Sequence, residues 1–273
     1  MLTIDAHVHI FPPKIAPAAV QATAEFYAGA HTPEFTAPAE LAACAGTAED
    51  LLARNAAAGI DRSVIFSTAT RPGQVESVND FIAGLCREHP SLIGVGTMHI
   101  DYPDFEAEVK RIRGLGLRGI KLHPDIQRFA LDDERLLPLY DLMRANGLFL
   151  IAHTGDYRYS YSSPDKMARI AKLFPEMRFI GAHFGGWSQW REARERLTLP
   201  NVWVDTSSTL PFGAEDAARA AFDAFDHEHI FFGSDYPMWD PATELGRLEA
   251  LGLPEDLLEA VKGENFRRFL EEG

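Results

Sequence analysis

Thr3-Ile4-Asp5-Ala6-His7-Val8-His9 sets apolar and polar residues in strict alternation near the start of the chain. Side chains alternate faces along an extended strand, so Asp5, His7 and His9 share one face and Ile4, Ala6 and Val8 the other. An apolar face suits packing against helices. The face that carries two histidines then points inward, where bare imidazoles are costly to bury without partners.

Seven further short apolar, β-branched runs follow: Ser63 to Phe66, Leu92 to Met98, Leu117 to Leu122, Phe149 to Ile151, Arg178 to Gly181, Val202 to Val204 and Ile230 to Phe232. Between them, helical periodicity marks Ala48 to Ala58, Val75 to Glu88, Asp104 to Arg113, Glu134 to Ala145, Asp165 to Phe174, Gln189 to Leu197 and Ala214 to Ala224. Eight strands alternating with helices predict an α/β fold with a parallel sheet, the (β/α)8 TIM barrel. At 273 residues the chain has the size of one such barrel, so residues 1–273 are read as a single domain. Thr47 with Asp50 reads as a capping box, Gly59 as a helix stop, and Ser163-Pro164 as a helix start.

Strand starts recur roughly every 25 to 30 residues, the length of a strand plus its crossover. The exception is the long gap from Thr3 to Ser63. Residues 11–46 are therefore an insertion after strand 1. Pro12, Pro13, Pro17, Pro33 and Pro38 make it loop-like, with one helix around Ala18 to Tyr27. It is expected to wall the active end and to move more than the barrel. After the eighth strand, Pro241 to Leu251 and Pro254 to Leu270 are extra C-terminal helices.

The composition, 46% hydrophobic and 24% charged, is that of a packed globular chain. A net charge of -14 opposes phosphate backbones and anionic lipid, which argues against nucleic acid and membrane surfaces as partners. Cys44 and Cys86 form no paired framework, and Met1 to Ile10 lack a basic start and long apolar run. No membrane span, no signal peptide and a cytoplasmic location are expected. A homo-oligomer is compatible with all of this.

Chemistry-bearing residues recur where strands end: His7 and His9, then Lys121-Leu122-His123, Ala152-His153, Gly181-Ala182-His183 and Gly233-Ser234-Asp235. Histidines and a carboxylate gathered on one rim suit a divalent metal, although each alone can be a satisfied structural residue. These pieces, with Phe184-Gly185-Gly186 and Tyr236-Pro237, resemble the amidohydrolase superfamily over essentially the whole chain. The likeness is strongest to the branch related to aminocarboxymuconate semialdehyde decarboxylase and other small metal-dependent hydrolases.

The resemblance implies that His7, His9 and His153 ligate one divalent ion, with zinc favoured and manganese an alternative. It implies that Asp235 binds the ion or its water and acts as base, and that His183 sits beside the substrate. Lys121 and His123, two apart on one strand face, have three readings: a bridge to a second metal, contact with an anionic substrate group, or structural satisfaction. Asp205 either supports a ligand histidine or caps the next turn. The rim residues Asp156, Tyr157, Arg158, Tyr159, Tyr161, Trp187, Trp190, Trp239 and Asp240 suit a pocket for a ring or carboxylate.

The leading expectation is hydrolysis of a small carboxylate, ester, lactone or amide by metal-activated water. Nonoxidative decarboxylation of an aromatic or unsaturated acid uses the same residues and is the near rival. A noncatalytic ligand-binding barrel would be favoured by loss of a ligand residue, and none is lost. A phosphodiesterase acting on nucleic acid is disfavoured by the acidic balance.

Overall fold

A computed structural model describes residues 2–31, 43–212 and 215–271. In chain order the elements are β1 (Ile4–His9), α1 (Ala16–Tyr27), α2 (Ala48–Ala58), β2 (Arg62–Phe66), α3 (Val75–Glu88), β3 (Leu92–Gly94), β4 (Gly96–Thr97) and α4 (Phe105–Gly114). There follow β5 (Gly119–Leu122), α5 (Pro124–Gln127), α6 (Leu137–Ala145), β6 (Phe149–Ala152), α7 (Pro164–Leu173), β7 (Phe179–Gly181), α8 (Trp190–Arg196) and β8 (Val202–Asp205). The last are α9 (Glu215–Ala224), β9 (Ile230–Phe231), α10 (Pro241–Ala250), α11 (Glu255–Glu259) and α12 (Asn265–Glu271). Strand and helix alternate as expected. Two compact units result, residues 1–65 with 205–272, and residues 66–204.

In the first unit, the start and the end of the chain meet. Ala6 N donates to Phe232 O at 2.8 Å, Asp235 N to His7 O at 2.9 Å, and His9 N to Tyr236 O at 2.7 Å. A parallel bridge between Val8 and Tyr236 continues that pairing. Ile4, Ala6 and Val8 are buried as the alternation requires. The expected helix Pro254 to Leu270 is instead α11, a π-helical turn Ala260–Glu264, and α12. Gly263 lies within that turn, where a Cβ would come within 2.2 Å of Leu2 O, so the turn lies directly against the chain entering β1.

The insertion carries α1 from Ala16, two residues earlier than expected. Phe11 N donates to Gly46 O at 2.8 Å, and Cys44 N to Pro237 O at 2.7 Å, which ties its end to the segment after Asp235. The mobility expected of residues 11–46 falls in part on residues 32–42, which lie outside the described residues, as do Gly213 and Ala214.

In the second unit β4 to β8 are parallel neighbours in chain order. Leu122 pairs with Ala152, and Ala152 with Gly181. His153 N donates to Leu122 O, and Ala182 N to Ala152 O, both at 3.0 Å. This register sets His123, His153 and His183 at the same ends of adjacent strands. Leu92 to Met98, expected as one strand, is β3 and β4. Thr97 N, within β4, donates to the buried Asn79 Oδ1 at 2.7 Å. Asn79 Nδ2 reaches Glu108 Oε1 at 2.6 Å, so α3, β4 and α4 share one buried polar link.

The helix bounds Ala48–Ala58 and Val75–Glu88 match the reading from sequence. Thr47 Oγ1 accepts from Asp50 N at 3.4 Å, and Gly59 ends α2 at φ 70°. The return half of that capping box is absent, because Asp50 turns to Arg54, Ala45 N and Tyr236. Ser163 precedes α7 but makes no side-chain cap. Among the described residues no helix is long and apolar enough to cross a membrane, and Cys44 and Cys86 are free thiols.

Candidate metal centre

β1 and the segment after β9 bring His7, His9 and Asp235 together in the first unit, each with one ligand atom within 4.8 Å of the others. His7 Nε2 stands 3.5 Å and His9 Nε2 3.4 Å from Asp235 Oδ1. His7 and Asp205 are fully buried, and His7 Nδ1 lies 2.8 Å from Asp205 Oδ2. An ionised carboxylate only accepts, so it holds the proton on Nδ1 and turns the Nε2 lone pair towards Asp235. Lone pairs of two imidazoles converging on a carboxylate oxygen make the donor set that a divalent cation satisfies.

Asp205 combines both of its expected roles. Its Oδ2 backs His7, while Oδ1 accepts from Ser207 N at 3.2 Å and from the Ser207 hydroxyl. Asp235 has φ 61° and Ser208 φ 44°, left-handed conformations that cost a non-glycine residue about 1–3 kcal/mol. The Asp235 N bond to His7 O and the Met238 N bond to Asp235 O hold that turn, each at 2.9 Å. Ser208, three residues after Asp205, donates its hydroxyl to Asp235 Oδ2. Only its place beside a rim acid hinted at that.

Two further acids lie beneath this cluster. Asp5 accepts from Ser234 N at 2.9 Å and from the Ser234 hydroxyl, yet complete burial pushes its carboxyl up to about 7. Burial outweighs the neighbouring Arg247 at Glu244 and pushes that carboxyl up to about 8.

In the second unit His153 Nδ1 and His183 Nε2 are 3.0 Å apart. His153 Nε2 faces Asp125 Oδ2 at 3.6 Å, and the His153 ring stacks on His123 at 4.1 Å between centroids. His183 has φ 61°, and its carbonyl accepts from Trp190 Nε1 at 3.1 Å. Asp125 was not singled out by sequence. It sits in the four-residue α5 directly after a rim histidine, its hydroxyl partner is Ser162, and burial raises its carboxyl to about 7.

His123 Nδ1 accepts from Ile126 N at 3.4 Å and so caps α5. Lys121 is fully buried, with its ammonium 4.7 Å from the Phe66 ring centroid. Asp156 joins Asp125 and His153 as a second group that could hold an ion, but it is engaged by Arg158 at 3.0 and 2.7 Å. Arg158 also lies over Trp187 and Tyr159, at 5.4 and 5.5 Å. Arg158, one of the rim residues named from sequence, is thus both paired with Asp156 and packed on aromatic rings.

Residues 4–271 match the family model described as Amidohydrolase. The chain belongs to that family of enzymes. A 5-carboxyvanillate decarboxylase, LigW, from Sphingomonas paucimobilis is 18% identical with a TM-score of 0.75, covering 99% of each chain. An uncharacterized TIM-barrel protein from Bordetella bronchiseptica is 20% identical, TM-score 0.77, covering 100% of this chain and 99% of that one. A putative 2-pyrone-4,6-dicarboxylic acid hydrolase from Pseudomonas putida is 21% identical, TM-score 0.68, covering 99% and 98%. The fold is thus the (β/α)8 TIM barrel expected from the strand and helix alternation. No curated protein sequence matches significantly.

Proposed function

We propose that the chain is a divalent-metal-dependent hydrolase of a small carboxylate, ester, lactone or amide. The observation that carries this is the convergence of His7 Nε2 and His9 Nε2 on Asp235 Oδ1, at 3.5 and 3.4 Å. The family's motif order, rather than a distance, assigns His153 to the same ion and His183 to the substrate. One ion is proposed, with zinc favoured over manganese by the nitrogen-rich donor set. When bound, the ion supplies Lewis-acid chemistry, polarising a substrate oxygen and acidifying water.

Asp235 then accepts the proton of the attacking water, and His183 orients or protonates the developing oxyanion. Lys121 and His123 are assigned to the anionic side of the substrate pocket rather than to a second metal. The shared strand face of Lys121 and His123 at the end of β5 is the basis for that choice, while the burial of Lys121 against Phe66 and the cap made by His123 Nδ1 belong to the structural reading. A small anionic substrate, no nucleic-acid partner and a cytoplasmic setting complete the reading.

Nonoxidative decarboxylation of an aromatic acid is the second reading, favoured by the likeness to LigW. The fate of the carboxylate separates the two. Incubation with small lactones, esters and aromatic acids should add the mass of water to a substrate. Carbon dioxide release as the main reaction would replace hydrolysis with decarboxylation.

A further inference from the structure

Trp239 was read from sequence only as a rim aromatic, and Ser208 has no part in the chemistry above. Both are nevertheless joined to Asp235 within the first unit. Trp239 Nε1 donates to Ser208 Oγ at 2.8 Å, and the Ser208 hydroxyl donates to Asp235 Oδ2. Chemistry fixes the direction of this chain. An indole N–H only donates and an ionised carboxylate only accepts, so the hydroxyl between them accepts from one and donates to the other.

Ser208 is buried, and the Trp239 ring is held edge-on against Phe212 at 5.4 Å with Arg247 over it at 5.9 Å. The indole is thus fixed before it meets the serine. The far carboxylate oxygen of Asp235, Oδ1, is the one that faces His7 and His9.

We propose that Trp239 and Ser208 are positioning residues that clamp Asp235 Oδ2, so that the carboxylate offers Oδ1 alone to an ion held with His7 and His9. This rests on the metal reading above. Without the clamp the carboxylate can turn and present both oxygens, which changes the number of ligands around the ion. Groups that orient a ligand in this way typically alter metal affinity by ~10–100-fold when removed.

The test uses Co(II) alone as the probe, with the wild type, His9→Ala, Ser208→Ala, Trp239→Phe and the double variant Ser208→Ala/Trp239→Phe. Affinity and the visible absorption of the bound ion are measured, with thermal melting of each protein as a control for folding. Trp239→Phe keeps a ring against Phe212 and removes only the donor. It carries the test alone if Ser208→Ala fails to fold.

Ser208→Ala should weaken Co(II) by about 10-fold or more and reduce the intensity of its visible bands as the coordination number rises. Trp239→Phe should act in the same direction and add nothing to Ser208→Ala, because a relay is broken only once. Equal Co(II) binding by the wild type and His9→Ala would remove the metal reading itself. A wild type that binds through His9, with unchanged affinity and bands in Ser208→Ala or Trp239→Phe, or with additive losses in the double variant, would overturn the clamp alone.

Discussion

His7 has a different partner at each ring nitrogen, Asp205 at Nδ1 and the Asp235 side at Nε2. Asp205→Asn leaves the volume intact but removes the obligate acceptor that fixes the tautomer. It should therefore weaken metal binding by ~10–100-fold in a competitive titration, and unchanged affinity would make Asp205 a turn residue only. Asp235→Asn should retain much of the metal on the imidazoles yet lower turnover by about 100-fold or more, because an amide cannot take the water's proton. Wild-type turnover in that variant would refute the assigned base. Glu244 gives a prediction of the opposite kind, in stability. Burial raises its carboxyl from the ordinary 4.5 to about 8, so the folded state favours the uncharged form. Its contribution is fully present below about pH 4.5 and is lost as pH rises towards 8, by at most about 1.4 kcal/mol per pH unit. Urea unfolding at pH 5 and pH 8 should show a larger loss for the wild type than for Glu244→Gln, and parallel losses would contradict this.

Strands and helices place these side chains, and at Gly233 the segment after β9 comes close to β1. A Cβ at Gly233 would stand 2.9 Å from His7 Cβ and 3.3 Å from Ser207 Cβ. Cβ atoms are fixed to the backbone and cannot swing away, so Gly233→Ala should displace β1 locally and cost about 1–3 kcal/mol in denaturant unfolding, together with metal affinity. A fully stable variant with normal metal binding would show that the strand ends are looser than described. The same distinction between local and distant causes separates what was legible in the sequence from what was not. The shared face of His7 and His9 follows from two-residue alternation, and the limits of α2 and α3 follow from periodicity with Thr47 and Gly59 as punctuation. The buried link from Asn79 on α3 to Thr97 was not legible, because the two lie 18 residues apart. Nor was the π-helical turn at Gly263, which lies against Leu2, a residue distant in sequence. Ser208 meets Asp235 27 residues away, a contact that no local pattern encodes.

Across the whole molecule, the acidic balance and the site ask for different things. A net charge of -14 repels anions at long range, yet the proposed substrate is a small carboxylate. On the proposed reading a bound ion supplies the attraction at short range, where screening is weak, since the charge of Arg158 is already paired with Asp156. The amidohydrolase family and the barrel fold leave open which bond is broken, so the claim on which the rest depends is the metal itself. Metal analysis of the purified wild type beside His7→Ala/His9→Ala tests it most directly. One zinc, manganese or similar divalent ion per chain is predicted for the wild type, with the ion and activity lost together in the double variant. The same tightly bound metal content in both proteins would contradict the assignment of the site.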